Sequence, residues 1–187
     1  IRGRNDRSAY PLGFKSIKRN YFSVIHSGQG DGWDVNRPCM ASVIVFQGKK
    51  YLIDAGPNIS YTLTALGIGV NEIEGIFHTH CHDDHFAGMT SLVRTDHCTE
   101  YFATPLVRAS VLKKLSALLW TDEDVIPSYF DVVNLDFDEW NDIDGLEARP
   151  IMSPHPVETS SFFFPTFKKG KHLTYANLKD SFRRRGL

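Results

Sequence analysis

Six consecutive residues, His80-Cys81-His82-Asp83-Asp84-His85, run in the pattern His-x-His-x-Asp-His and place three imidazoles and a carboxylate at its fixed positions. Neutral imidazole nitrogen and carboxylate oxygen are donors that zinc, manganese and iron accept. Four such donors this close together can serve two adjacent ions if the backbone bends around them. Water held between two divalent ions loses a proton near neutral pH. It becomes a nucleophile while the ions polarise the bond under attack, so the chemistry these residues could do is hydrolysis.

No single regular conformation aims all four donors at one place. A strand would put 80, 82 and 84 on one face, and a helix would pair 81 with 85. A strand end that turns into a helix fits best. Ile73-Glu-Gly-Ile-Phe-His-Thr before the motif has the apolar, bulky character of a buried strand, and Gly88-Met-Thr-Ser-Leu-Val-Arg after it can start a helix. The donors then sit on a loop at the carboxyl end of a strand, where α/β proteins place their sites.

This pattern resembles that of the metallo-β-lactamase-fold metallohydrolases, and the likeness extends beyond the motif. Tyr51-Leu-Ile-Asp54-Ala-Gly56 resembles that family's strand ending in Asp-x-Gly. Leu63-x-x-Leu66-Gly-Ile-x-x-x-Glu72-Ile73-Glu-Gly-Ile resembles its helix and strand leading into the motif, and Ser153-Pro-His155-Pro-Val-Glu stands where the family carries its third metal histidine. The match runs from about Tyr21 to Asp180.

The resemblance implies an αββα four-layer sandwich of the α/β (α+β) class and a two-metal centre. In it His80, His82 and His155 hold one ion, and Asp84 and His85 hold the second. Asp180 bridges the two, Asp136 and Asp138 lying on the wrong side of His155 for that role. Asp84 also orients the attacking hydroxide, and Asp54 supports a ligand from behind. The ions are expected to be zinc, with manganese or iron as alternatives. The family's last metal histidine has no counterpart before Leu187, so the sandwich is expected to be incomplete at its C-terminus.

Periodicity and turn residues place strands near Tyr21–His26, Ala41–Phe46, Lys50–Asp54, Gly75–Phe77, Glu100–Ala103, Asp131–Leu135, Leu146–Met152, Ser161–Phe164 and Leu173–Ala176. Helices are expected at Ile59–Leu66 and at Pro105–Leu119, the latter with Pro in its first turn. Gln47-Gly48 reads as a hairpin turn. Residues 1–20 are expected to be an N-terminal extension or linker and 21–187 one domain, since 187 residues with 42% hydrophobic content suffice for one sizeable core.

The formal net charge of −1 carries no electrostatic footprint for nucleic acid, and the Lys168–Lys171 and Arg183–Arg185 clusters are local. No apolar run reaches the roughly 20 residues of a membrane span. Three cysteines, Cys39, Cys81 and Cys98, leave one over under any disulfide scheme, which points to a reducing, cytoplasmic setting. Cys81 alternates with two histidines, so in an extended segment its side chain points away from theirs. His78 lies on the same side as His80 and is read as structural or supporting.

The function expected is a metal-dependent hydrolase acting on a small-molecule substrate, foremost a small phosphodiester such as a cyclic nucleotide, because no Gly-His-Thr-x-Gly run surrounds His155. A non-hydrolytic di-iron module for oxygen sensing or redox work is the alternative, and a metal-poor interaction domain a third. His82 stands where di-iron relatives usually carry Glu, which favours the hydrolase.

Overall fold

The computed structural model describes residues 21–28, 30, 32–34, 36–93, 96–168 and 171–177, with side chains described as far as residue 165. Among them β1 (Phe22–Gly28), β2 (Ala41–Phe46), β3 (Lys49–Ile53), β4 (Ile73–Phe77), β5 (Thr99–Ala103) and β6 (Phe130–Asn134) lie side by side in that order in a six-stranded sheet. β7 (Asn141–Ile143), β8 (Leu146–Met152), β9 (Ser160–Lys168) and β10 (Lys171–Asn177) form a four-stranded sheet in the order β10-β9-β8-β7.

Connection length decides the pairing. Gln47 and Gly48, at φ 49° and 92°, make a two-residue turn with both φ positive, and β2 and β3 pair antiparallel across it from Phe46 against Lys49. This is the geometry that matches strand twist. From β3 onward the pairing is parallel, β3 to β4, β4 to β5 and β5 to β6. Parallel neighbours need a crossover, and the helices α1 (Ile59–Ala65), α2 (Asp83–Phe86), α3 (Met89–Leu92) and α4 (Pro105–Leu119) occupy these crossovers.

The period of two along the strands divides the core. In β2, Ala41 and Val43 pack with α1 and α4 residues such as Leu63, Val107 and Val111, whereas Ile44 and Phe46 pack with Leu146, Phe162 and Phe164 of the second sheet. In β5, Tyr101 and Ala103 face the helices and Phe102 faces the second sheet, stacked on Phe77 of β4 at 4.8 Å between ring centroids. The layers are thus helices, six-stranded sheet and four-stranded sheet. Among the described residues no helix lies on the outer face of the four-stranded sheet, so three of the four layers of the expected sandwich are in view.

Two local expectations are corrected. The third strand stops at Ile53 rather than Asp54, because Asp54 takes a left-handed φ of 61° that no strand tolerates. β7 was not anticipated, being three residues that include Asn and Asp, both poor strand formers. The segment 1–20, Asp180 and the Arg183–Arg185 cluster lie outside the described residues.

Candidate metal centre

β3, β4 and β5 run parallel, so their carboxyl ends lie together: Asp54 leaves β3, His78 leaves β4 and Thr104 leaves β5. The Asp54 N–H donates to the Phe77 carbonyl at 2.9 Å and the His78 N–H to the Phe102 carbonyl at 3.0 Å, which extends the sheet's order into the loops. The second sheet joins the same edge, with the Ser160 N–H donating to the Thr79 carbonyl at 2.9 Å and the turn after β8 carrying His155.

Two glycines let the loop after β3 approach α2. A Cβ on Gly56 would collide with the Asp84 carbonyl oxygen and the Cys39 side chain, and one on Gly88 would collide with the Gly56 carbonyl oxygen. The Ala55 N–H donates to the His85 carbonyl at 2.7 Å and the Gly88 N–H to the Ala55 carbonyl at 2.8 Å, so these contacts lock Asp84 and His85 against the end of β3. The Asp-x-Gly of the sequence is therefore a packing requirement as well as a source of a carboxylate.

Donor atoms of His80, His82 and His155 all lie within 4.8 Å of one another. The His155 Nε2 and His82 Nδ1 atoms are 3.1 Å apart, and the His80 ring centroid stands 4.7 Å from that of His82 and 4.6 Å from that of His155. His85 Nε2 lies 3.4 Å from Asp84 Oδ2, and the His85 and His80 rings are 4.0 Å apart, so the pair adjoins the trio. Cys81, between two of these histidines, turns the other way and packs on the helix-side core. Three imidazoles beside an imidazole–carboxylate pair are a donor set that suits a divalent ion such as zinc.

Protonation is set from behind. Asp54 is 1% exposed, and its Oδ1 accepts from the Thr79 N–H at 2.7 Å while Oδ2 accepts from the Thr79 hydroxyl at 2.7 Å and from His85 Nδ1–H at 2.6 Å. That bond leaves His85 Nε2, the nitrogen facing Asp84, with its lone pair. The Thr79 hydroxyl has one proton and gives it to Asp54, so at 2.9 Å it must accept from His80 Nδ1–H, which leaves the lone pair of His80 on Nε2. One buried carboxylate thereby fixes two imidazole tautomers, one directly and one through a hydroxyl.

The charge states agree with this wiring. Burial alone would raise the Asp54 carboxyl, but the bond from His85, the neighbouring imidazoles and the Thr79 N–H together hold it below its ordinary value. Burial, followed by the proximity of His85, pushes His80 down to about 3, although Asp54 opposes this, so His80 is neutral and ready to bind a cation at pH 7. Burial also pushes His78 down to about 4. His78 lies between the Phe86 and Tyr101 rings, and neither of its nitrogens finds a hydrogen-bond partner among the described residues.

Of the residues singled out in the sequence, the structure brings together His80, His82, Asp84, His85 and His155, and seats Asp54 beneath them. Asp138 is elsewhere, on the surface, paired with Arg149 at 2.8 Å. Thr79 went unremarked in the sequence; its one legible signal is a short hydroxyl side chain beside the first histidine of the motif.

Sheets, crossovers and site together define a metallo-β-lactamase fold. Residues 22–177 match the family described as Anti-Pycsar protein Apyc1, and the chain belongs to that family. It is 26% identical over 155 residues to cGMP-dependent 3',5'-cGMP phosphodiesterase A of Dictyostelium discoideum, covering 83% of this chain and 18% of that protein. It is 38% identical over 60 residues to ribonuclease Z of Clostridium kluyveri, covering 32% of this chain and 20% of the enzyme. The chain thus spans about a fifth of the length of these curated relatives. Among solved structures it is similar to the metallo-beta-lactamase fold protein YhfI from Bacillus subtilis, with a TM-score of 0.64 and 14% identity over 82% of this chain and 60% of that one. No helix among the described residues is long and apolar enough to cross a membrane.

Proposed function

We propose that this chain is a metal-dependent hydrolase of small phosphodiesters, with a 3',5'-cyclic nucleotide as the substrate class. The observation that carries the reading is the convergence of His80, His82 and His155 within 4.8 Å, beside the Asp84–His85 pair. His80, His82 and His155 would hold one divalent ion and Asp84 and His85 a second, with zinc the ion best suited to this mix of nitrogen and oxygen donors. Bound there, divalent ions supply Lewis-acid polarisation of a phosphoryl oxygen and acidify water.

The protein's own residues do the rest. Asp54 keeps a proton on His85 Nδ1, and Thr79 keeps one on His80 Nδ1, so both rings present a lone pair without rearranging. The Asp84 carboxylate, a quarter exposed at the mouth of the site, orients the attacking water and accepts its proton. Support for a phosphodiester comes from the relative named as a cyclic-nucleotide phosphodiesterase, which matches over 83% of the chain. The near-neutral charge balance, −1 overall, favours a small molecule over a nucleic acid.

The test is hydrolysis of 3',5'-cyclic GMP and 3',5'-cyclic AMP by the zinc-reconstituted protein and by Asp84→Ala. The wild type should open the cyclic diester, and the variant should lose about 100-fold or more while keeping its circular dichroism spectrum. Full activity in Asp84→Ala, or a wild type inert towards phosphodiesters, would refute the proposal.

A further inference from the structure

Lys114 reaches from α4 into the loop that carries the histidines. Its Nζ donates to the Cys81 carbonyl at 2.8 Å and to Asp83 Oδ1 at 2.5 Å, and lies 4.7 Å from the centroid of the Phe86 ring, which is fully buried. Cys81 is the residue between His80 and His82, and Asp83 opens α2, which carries Asp84 and His85. One ammonium group therefore touches the backbone between two of the imidazoles and the first turn of the helix bearing the other pair.

The carbonyls around His80 show why this matters. Residues 79–82 are neither strand nor helix, so their backbone groups need partners outside the regular elements' own hydrogen bonds. The Thr79 carbonyl accepts from the Ser160 N–H at 2.9 Å, the Cys81 carbonyl from Lys114, and the His82 carbonyl from the His85 N–H at 3.0 Å. These three carbonyls are thus tied to three different elements, β9, α4 and α2. Lys114 supplies the tie to α4, whose Val107, Val111 and Leu115 are anchored in the core. The ion pair with Asp83 is not the important part, since the Asp83 side chain is 81% exposed and a solvated pair contributes little. The bond to the Cys81 carbonyl, part-buried beneath the loop, sets where His80 and His82 point.

We propose that Lys114 is a positioning residue for the metal centre, holding the His80–His82 segment in its metal-binding geometry. This rests on the metal-centre reading above and on none of its substrate assignment. Asp83 neutralises the ammonium charge, so removing Lys114 loosens the loop more than it relieves repulsion of a cation.

The experiment is a competition titration of zinc with a chromophoric chelator, run on the wild type, Lys114→Met and Lys114→Arg, alongside thermal melts of each protein without metal. Met keeps the stem over Phe86 and removes the donor; Arg keeps a donor and the charge. Zinc affinity should fall about 10- to 100-fold in Lys114→Met, the range for groups that orient ligands, and recover most of that in Lys114→Arg. The metal-free melting temperature of Lys114→Met should stay within about 4 °C of the wild type, since what is lost is one part-buried hydrogen bond and a solvated ion pair that contributes little. Unchanged zinc affinity in Lys114→Met overturns the role of Lys114, as does a loss of affinity matched by a collapse of the metal-free protein. A wild type that binds no zinc instead refutes the metal-centre reading itself.

Discussion

The Asp54 carboxylate lies 2.6 Å from Nδ1 of His85, a residue 31 positions further along the chain, and is itself 1% exposed. A carboxylate this deeply buried is costly to desolvate, and three hydrogen bonds to it offset that cost. They also explain its left-handed backbone, φ 61°, because that turn swings the side chain under the loop instead of continuing β3. Strain of this kind persists where the surroundings over-determine it, and it gathers at functional sites.

Asp54→Asn follows directly. The amide is isosteric, but an NH2 group in the place of Oδ2 cannot accept from the Thr79 hydroxyl or from His85, so both imidazoles lose their tautomer control, and in the place of Oδ1 it opposes the Thr79 N–H instead. Zinc affinity measured by chelator competition should drop about 10- to 100-fold with the fold retained. An Asp54→Asn protein that binds zinc as the wild type does would show that the carboxylate only caps the turn at Gly56.

His78 makes the metal-free protein sensitive to acid. Its ordinary pKa of 6.5 falls to about 4 in the folded state, because burial penalises the imidazolium more than Asp54 favours it. The unfolded chain therefore binds more protons between these limits, so stability present above pH 6.5 is lost as pH falls towards 4. For His78 the loss is about 3 kcal/mol. His80, lowered to about 3, adds loss in the same direction. Urea titrations of metal-free protein at pH 7.5 and 4.5 should show a smaller difference in His78→Phe than in the wild type. Identical differences would mean that His78 is not held neutral in the fold.

The kinds of donor at positions 80–85 are legible in the sequence because few side chains offer a metal a lone pair and this segment gathers three His and Asp84 at close spacing. The β2–β3 hairpin is legible because Gln47-Gly48 tolerates two positive φ angles in succession. Other features depend on contacts that residue order does not encode. Lys114 reads as one more lysine on a helix until β5 and α4 bring it back to Cys81, 33 residues earlier in the chain. Thr79 acquires its role only when Asp54 arrives from β3, 25 residues upstream. β7 is too short for periodicity to register, and Asp180, assigned through family resemblance, lies outside the described residues.

The most direct test is the zinc content per chain, by elemental mass spectrometry, after equilibration with zinc and removal of the unbound ion, for the wild type and for His82→Ala and His155→Ala. The account predicts close to two ions per wild-type chain and a clear deficit in both variants, because each removes a donor from the trio that converges within 4.8 Å. A wild type that retains no zinc, or variants that retain as much as the wild type, would contradict it.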